Sequence, residues 1–216
     1  MSTKRIHDSY NHQVQTTKSP RQGHLTNTVA ALLMMACANA SWAHDIQSPV
    51  DPNIPAAFDI TSASVTTDGR LATFAMEVAG QIGSEIPDAV GQFEGSRVAA
   101  YVWPTRLPPI RAGFRTRGIL ALSLTAHRDF DDTPLFDEDL DGDLANDGAN
   151  WHSHWVVLAP DVRCPAGLKV KDISPGQNLD FVLPPTAPGV PIALDSAGMS
   201  PILEGNLTHV TVPLKR

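Results

Sequence analysis

Two histidines separated by one residue, His152 and His154, have the spacing of side chains that share one metal ion. They open an apolar run, Trp151–Leu158, that predicts a β-strand. In a strand, residues i and i+2 point to the same side, so both imidazoles would face one cation. Imidazole nitrogen binds copper, zinc and iron, so the pair predicts a transition-metal site; the alternative is two hydrogen-bonded histidines near a sheet edge.

The remaining ligands of such a site must come from other segments, and His127, His209 and His44 are the candidates. A cupin site is disfavoured, because a Glu should follow His-x-His by three or four residues and residues 155–158 are Trp, Val, Val and Leu. If His44 is the mature N-terminus, its amino nitrogen and ring would bind copper. In that one respect the chain resembles the copper-binding sandwiches of the periplasm and the oxidative polysaccharide-cleaving enzymes.

A long acidic loop, residues 129–148, is the second feature with metal-binding chemistry. Asp137, Asp139 and Asp141 alternate and are followed by Gly142, which allows a sharp turn. Calcium takes six to eight oxygen ligands in a flexible shell, and alternating carboxylates in a looping backbone supply several of them. The pattern predicts calcium binding; the alternative is a solvated acidic loop.

The first eight positions of this segment resemble an EF-hand or dockerin-type calcium loop. The resemblance implies side-chain ligands at Asp137, Asp139 and Asp141, and a backbone carbonyl ligand at Asp143. The final position, where such loops carry a bidentate acid, is Gly148 here, and Asp147 lies one residue early. Flanking helices are also missing from the sequence pattern, so we expect a calcium loop inserted between strands in which Asp147 substitutes through a distorted backbone.

Short strand patterns separated by Pro and Gly clusters cover the rest of the chain from residue 44 onward. The pattern predicts an all-β fold, an antiparallel β-sandwich or barrel with a long acidic metal-binding loop, and one helical turn near 86–93. An Asp-Gly turn at 66–70 joins the first two runs into a hairpin, with Phe58, Ile60, Ser62 and Ser64 on one face. The predicted strands are 57–65, 71–78, 97–103, 118–126, 151–158, 167–173, 179–183 and 207–214.

The strand patterning of this hairpin, residues 58–78, resembles the opening of DOMON-type and related carbohydrate-module sandwiches. Those families bind haem or sugars. The resemblance covers about 25 residues. It implies the sandwich fold and carries over no ligand residues.

The first 43 residues have the order of a secretory signal peptide: a basic segment, the apolar run 28–38 and small residues. Cleavage after Ala43 or after Ala40 fits, and cleavage after Ala43 leaves a single domain, 44–216, that begins at His44. A short buried helix, or a lipoprotein modified at Cys37, is the alternative. We therefore expect a periplasmic or secreted protein.

Charge and length exclude several classes of protein. The 216-residue chain has a net charge of −7; removing 1–43, which holds four of 16 basic and one of 23 acidic residues, leaves −10. That balance argues against nucleic-acid binding, and no apolar run reaches the roughly 18 residues of a membrane span. The lone Cys164 of the mature chain forms no internal disulfide, so the core or bound metal must stabilise the fold.

These patterns favour an exported metal-binding protein, stabilised by calcium, that binds a ligand without turnover. One alternative is a metal-dependent enzyme built on His152, His154 and His127. Another is a carbohydrate-binding or adhesive module, in which Tyr101, Trp103 and Trp151 would form an aromatic platform for a sugar. The alternative for these three aromatic residues is a place in the hydrophobic core. The expected partners are metal ions and a small-molecule or carbohydrate ligand.

Overall fold

The computed structural model describes residues 44–214, and the predicted signal peptide lies outside them. The described residues form two antiparallel β-sheets, which confirms the predicted all-β fold. The strands are β1 (His44–Gln47), β2 (Ile60–Thr67), β3 (Leu71–Val78), β4 (Ala99–Pro104), β5 (Ile119–Ala126), β6 (His152–Pro160), β7 (Leu168–Val170), β8 (Leu194–Asp195), β9 (Ile202–Glu204) and β10 (Leu207–Pro213).

The first sheet has the strand order β1-β2-β3-β10-β9, and the second has the order β4-β5-β6-β7. β8 also pairs with β6, beside β7. Leucines on one face of β5 and aromatic residues of β4 and β6 meet the inner face of β3 and β10 in one core. Phe74 of β3 joins the sheets, because its ring makes edge contacts with Trp103 of β4 and Trp155 of β6 at 6.2 and 5.9 Å.

The predicted hairpin of β2 and β3 is confirmed, and Asp68 explains its turn. Asp68 Oδ1 accepts hydrogen bonds from the backbone N–H groups of Arg70 and Leu71, at 2.7 and 2.8 Å. Gly69 supplies the left-handed conformation, with φ of 88°.

The prediction that Phe58, Ile60, Ser62 and Ser64 share one face is wrong, although β2 overlaps the predicted strand. The register shifts between Ile60 and Ser62, and a shift of one residue exchanges the two faces of a strand. Ala63 and Val65 therefore pack against the core instead of Ser62 and Ser64.

Two local predictions are also wrong. Leu179–Val182 is a single helical turn, α1, closed by a 2.8 Å hydrogen bond from Leu183 N to Leu179 O. Five apolar-rich residues cannot distinguish a strand from one helical turn, and the prolines at 184 and 185 stop the helix. The segment 86–93, predicted as a helical turn, contains no helix.

The aromatic residues considered for sugar binding are core residues. Tyr101 and Trp103 are 1% and 4% exposed, and Trp151 is half-buried against Tyr101, with ring centroids 5.0 Å apart. They form no platform on the surface.

Candidate metal centre

His152 and His154 lie on the outer face of the second sheet, as their spacing predicts. Their cross-strand partners on β5 are Thr125 and Ser123. Trp155, with opposite parity, packs into the core between the sheets. The two histidines are nevertheless almost fully buried, at 2% and 0% exposure. Other segments must therefore cover this face of the sheet.

The connection between β5 and β6 covers this face, and its last residues return to the end of β5. His127 N–H donates to the carbonyl of Gly148 at 2.7 Å, which joins the two ends of the loop. Gly148 has no space for a side chain: a Cβ there would lie 1.9 Å from the carbonyl oxygen of Phe130. The glycine that departs from the calcium-loop pattern is thus required for closing the loop.

Three imidazoles converge on one carboxylate oxygen inside this closed loop. Oδ1 of Asp132 lies 3.2 Å from Nε2 of His127, 3.1 Å from Nε2 of His152 and 3.3 Å from Nε2 of His154. The ligand atoms of His127, His152 and Asp132 all lie within 4.8 Å of one another. The ring planes of His127 and His152 meet at 77°, and those of His152 and His154 meet at 81°, so neighbouring rings are nearly perpendicular and do not stack.

The opposite ring nitrogens fix the tautomers. Nδ1 of His127 donates to the carbonyl of Phe130 at 2.9 Å, and Nδ1 of His152 donates to the carbonyl of Asn150 at 2.8 Å. A carbonyl only accepts, so Nδ1 carries a proton in both rings. Nε2 of a neutral His152 then presents a lone pair, whereas Nε2 of His127 makes a 3.2 Å hydrogen bond with Asp132 Oδ1.

His154 has the same orientation through a hydroxyl group. Ser196 Oγ donates its hydrogen to the carbonyl of Asp132 and lies 3.2 Å from Nδ1 of His154. Because that hydrogen is already used, Nδ1 of His154 is the donor and its Nε2 is the acceptor. Hydrogen bonds of this kind, which orient a histidine and fix its tautomer, are typical of metal-ligating histidines.

Polar atoms that lack a hydrogen bond collect at the same place. Among residues 44–214, the buried side-chain atoms without a partner are Thr125 Oγ1, His152 Nε2 and His154 Nε2. Although both nitrogens are close to Asp132, neither has the geometry of a hydrogen bond. Buried polar atoms are almost always paired, so three unpaired atoms on one face make this cluster a candidate ligand site.

The charges in the cluster are unevenly shared. Burial disfavours ionisation of Asp132, but the three imidazoles outweigh burial and hold the pKa of its carboxyl well below its usual range. Burial lowers the pKa of His154, which keeps this ring neutral. Burial also acts against protonation of His152, but Asp132 outweighs it and raises the pKa of that ring. A bound cation would compete with protonation of His152.

The structure also brings together three of the aspartates in the acidic loop. One carboxylate oxygen from each of Asp137, Asp139 and Asp141 lies within 4.8 Å of the others. The loop turns around them, because Asp137 Oδ2 accepts from Gly142 N at 2.9 Å and Asp139 Oδ1 accepts from Asp141 N at 3.1 Å. The three side chains are half-buried or exposed.

The carboxylates of Asp143 and Asp147, the other two residues predicted to bind calcium, are not part of that group. Asp143 is exposed, and its carboxylate accepts from Ala145 N at 3.0 Å. Asp147 is fully buried, and its two oxygens accept from Glu138 N at 2.9 Å and Asn150 Nδ2 at 2.7 Å. Asp147 therefore ties the acidic loop to the segment that leads into β6.

His44 and His209 belong to the first sheet, on β1 and β10, whereas the cluster lies on the second sheet. Of the predicted metal ligands, the structure brings together His127, His152 and His154. The sequence analysis did not identify Asp132, which is one of several acids in its segment. Its position five residues after His127 was the only available signal.

Comparison of the chain with protein-family models, curated proteins and solved structures found no match in any of the three. Within residues 44–214, no helix is long and apolar enough to cross a membrane. The site geometry therefore carries the functional argument.

Proposed function

We propose that this protein is an exported β-sandwich protein that binds one transition-metal ion through His127, His152, His154 and Asp132 and holds it without turnover. The distances from Asp132 Oδ1 to the three imidazole nitrogens carry this proposal, together with the group formed by His127, His152 and Asp132, whose ligand atoms all lie within 4.8 Å of one another. Metal–ligand bonds of 2.0–2.2 Å in a tetrahedral zinc site place neighbouring ligand atoms about 3.3–3.6 Å apart. The three nitrogens lie 3.1–3.3 Å from Asp132 Oδ1, close to that spacing.

The ligand set favours zinc over copper(II). Three imidazoles and one carboxylate complete a tetrahedral shell, which suits zinc, whereas copper(II) prefers tetragonal geometry. Catalytic zinc sites keep one coordination position open for water or substrate. Four protein ligands leave none, and the three histidines are at most 2% exposed. This burial favours binding of the metal over catalysis by it.

Metal content and cobalt spectroscopy of the mature chain test the proposal. We expect one equivalent of zinc, and a cobalt(II) derivative with the intense visible absorption of a four-coordinate ion. Replacing His152 and His154 with Ala should abolish binding, whereas His209→Ala, on β10 of the first sheet, should leave binding unchanged. Equal zinc binding by the double variant and the wild type would refute the site.

A metal-dependent enzyme is the second candidate, because a pocket borders the cluster at His152 and contains the carboxylate of Glu138. If Asp132 left the metal, a substrate would bind from that side. Azide added to the cobalt derivative distinguishes the two functions. A closed shell leaves the cobalt spectrum unchanged, and an open position shifts it.

We also propose that Asp137, Asp139 and Asp141 bind calcium with the backbone carbonyl of Asp143. The support is the convergence of the three carboxylates in a loop that turns around them. Without a bidentate acid at the last position, affinity should lie near the ~10⁻⁴–10⁻³ M of extracellular modules. Calcium titration of the metal-loaded protein, followed by melting temperature, tests this site separately from the histidine cluster.

Export is the remaining part of the proposed function, and it rests on the sequence of residues 1–43. The intact mass of the protein from a periplasmic extract should correspond to a chain that begins at His44. A start at Ser41, or a lipid on Cys37, would remove the hypothesis of copper binding by an amino-terminal His44. Neither result would affect the histidine cluster.

A further inference from the structure

We propose that the pocket beside His152 is a transient cation site through which the metal ion reaches and leaves the buried centre. The inference rests on the proposed function. The pocket has a volume of about 230 Å³ and lies between the acidic loop and the segment before β9. Its main lining residues are Phe136, Asp137, Glu138, His152, Met199 and Ser200.

Burial of the ligands makes a path necessary. The His127 and His154 side chains are 1% and 0% exposed, so an ion cannot reach either ring directly from solvent. His152 is also buried, at 2% exposure, but it lines the pocket. Its Nε2 has no hydrogen-bond partner. A cation in the pocket would therefore contact the ring that carries one of the proposed ligand atoms of the metal centre.

The pocket also offers ligands that would hold a cation briefly. Glu138 Oε2 accepts one hydrogen bond, from Thr133 Oγ1 at 3.0 Å, and its carboxylate retains further acceptor capacity. Asp137 adds a second negative charge. Met199 adds a thioether, and its backbone is fixed beside β6 by the hydroxyl of Ser153, which donates to its carbonyl. Carboxylates attract the hydrated ion.

A group on the path has a kinetic signature that a metal ligand lacks. It lowers the barrier for binding and for release by the same amount, so its loss slows both rates and leaves Kd unchanged. Loss of a metal ligand, or damage to the fold, changes Kd. The ratio of the two rates therefore separates a path residue from a structural one.

Stopped-flow binding and chelator-driven release of cobalt(II), measured without calcium, test the proposal. For Glu138→Gln we expect both rates to fall roughly threefold or more, because the carboxylate stabilises the cation at the entrance of the path, which it must pass both when it binds and when it leaves. Asp143→Asn is the matched control, since it removes one charge from the same loop outside the pocket. Its two rates should remain close to those of the wild type.

A second variant obstructs the pocket without changing its charge. Ser200 is exposed, and Ser200→Phe should slow binding and release equally. Asp132, with a side chain 12% exposed, offers the other approach from solvent, and Ser200→Phe leaves that approach open. Unchanged rates in both variants would overturn the proposal, as would a changed Kd in Glu138→Gln. If the wild type bound no cobalt, the proposed function would fail as well.

Discussion

Replacing Gly148 with Ala should damage the metal centre from outside its ligand shell. A Cβ at position 148 would lie 1.9 Å from the carbonyl oxygen of Phe130 and 3.0 Å from Nδ1 of His127. Ordinary contact begins at 3.4 Å, so the separation from the Phe130 oxygen must grow by about 1.5 Å. That carbonyl accepts the hydrogen bond that orients His127. The substitution therefore strains the loop and turns a proposed ligand at once.

Two magnitudes follow from this geometry. Overpacking of a tightly packed site typically costs about 1–3 kcal/mol of unfolding free energy. For a domain of 150–250 residues, this corresponds to a fall in melting temperature of roughly 2–12 °C. Loss of an interaction that orients a metal ligand typically weakens metal binding about 10–100-fold. Differential scanning calorimetry of the metal-free protein and competitive zinc titration measure the two effects separately.

Gly142→Ala provides the control in the same loop. Gly142 has φ of 95°, but a Cβ there would meet no atom within 4 Å. Gly142→Ala should lower the unfolding free energy by only the ~1–2 kcal/mol that an alanine in the left-handed conformation costs, and it should leave zinc affinity unchanged. If Gly148→Ala matched the wild type in stability and zinc affinity, the loop closure and the orientation of His127 would not be as described.

The other predictions concern the acidic loop, the core and the unpaired hydroxyl. With protein free of transition metal in about 10 mM calcium, a chelator should lower the melting temperature of the wild type and leave Asp139→Ala unaffected, because calcium at a tenfold to hundredfold excess over the expected Kd stabilises by ~1.4–2.7 kcal/mol. An insensitive wild type would indicate a solvated loop. Tyr101→Phe should cost ~1–3 kcal/mol at pH 7, since the hydroxyl donates to Ala57 O at 2.6 Å and accepts from Gly83 N at 3.1 Å. Burial raises the pKa of Tyr101, so the stabilisation by its hydroxyl is complete below pH 10 and is lost as pH rises through the pKa of the folded state. Urea unfolding of the wild type and Tyr101→Phe from pH 7 to 11 should therefore show their difference in unfolding free energy shrinking only above pH 10. Thr125→Val should leave the metal-free protein at least as stable as the wild type, because Thr125 Oγ1 is buried without a hydrogen-bond partner. If chemical denaturation showed a loss of unfolding free energy above about 1 kcal/mol, a size typical of a lost hydrogen bond, the hydroxyl would be hydrogen-bonded after all.

The sequence by itself determined the strands whose patterns are local and long. β3 matches its predicted bounds, and β5 and β6 differ from theirs by one or two residues, because alternation and turn residues are properties of neighbouring positions. The two-residue period also placed His152 and His154 on one face. Short runs were less informative: α1 was predicted as a strand, and a bulge in β2 exchanged its two faces.

Only the tertiary structure decided which residues complete the metal centre. Asp132 is one acid among many in its segment, and its meeting with the three histidines depends on a loop that closes at Gly148. The loop closes through contacts between residues some twenty positions apart, such as His127 with Gly148, and no local pattern records them. The same holds for Asp147, whose carboxylate is buried by donors from Glu138 and Asn150. Periodicity fixes the direction of a side chain, whereas the packing of distant segments fixes its neighbours.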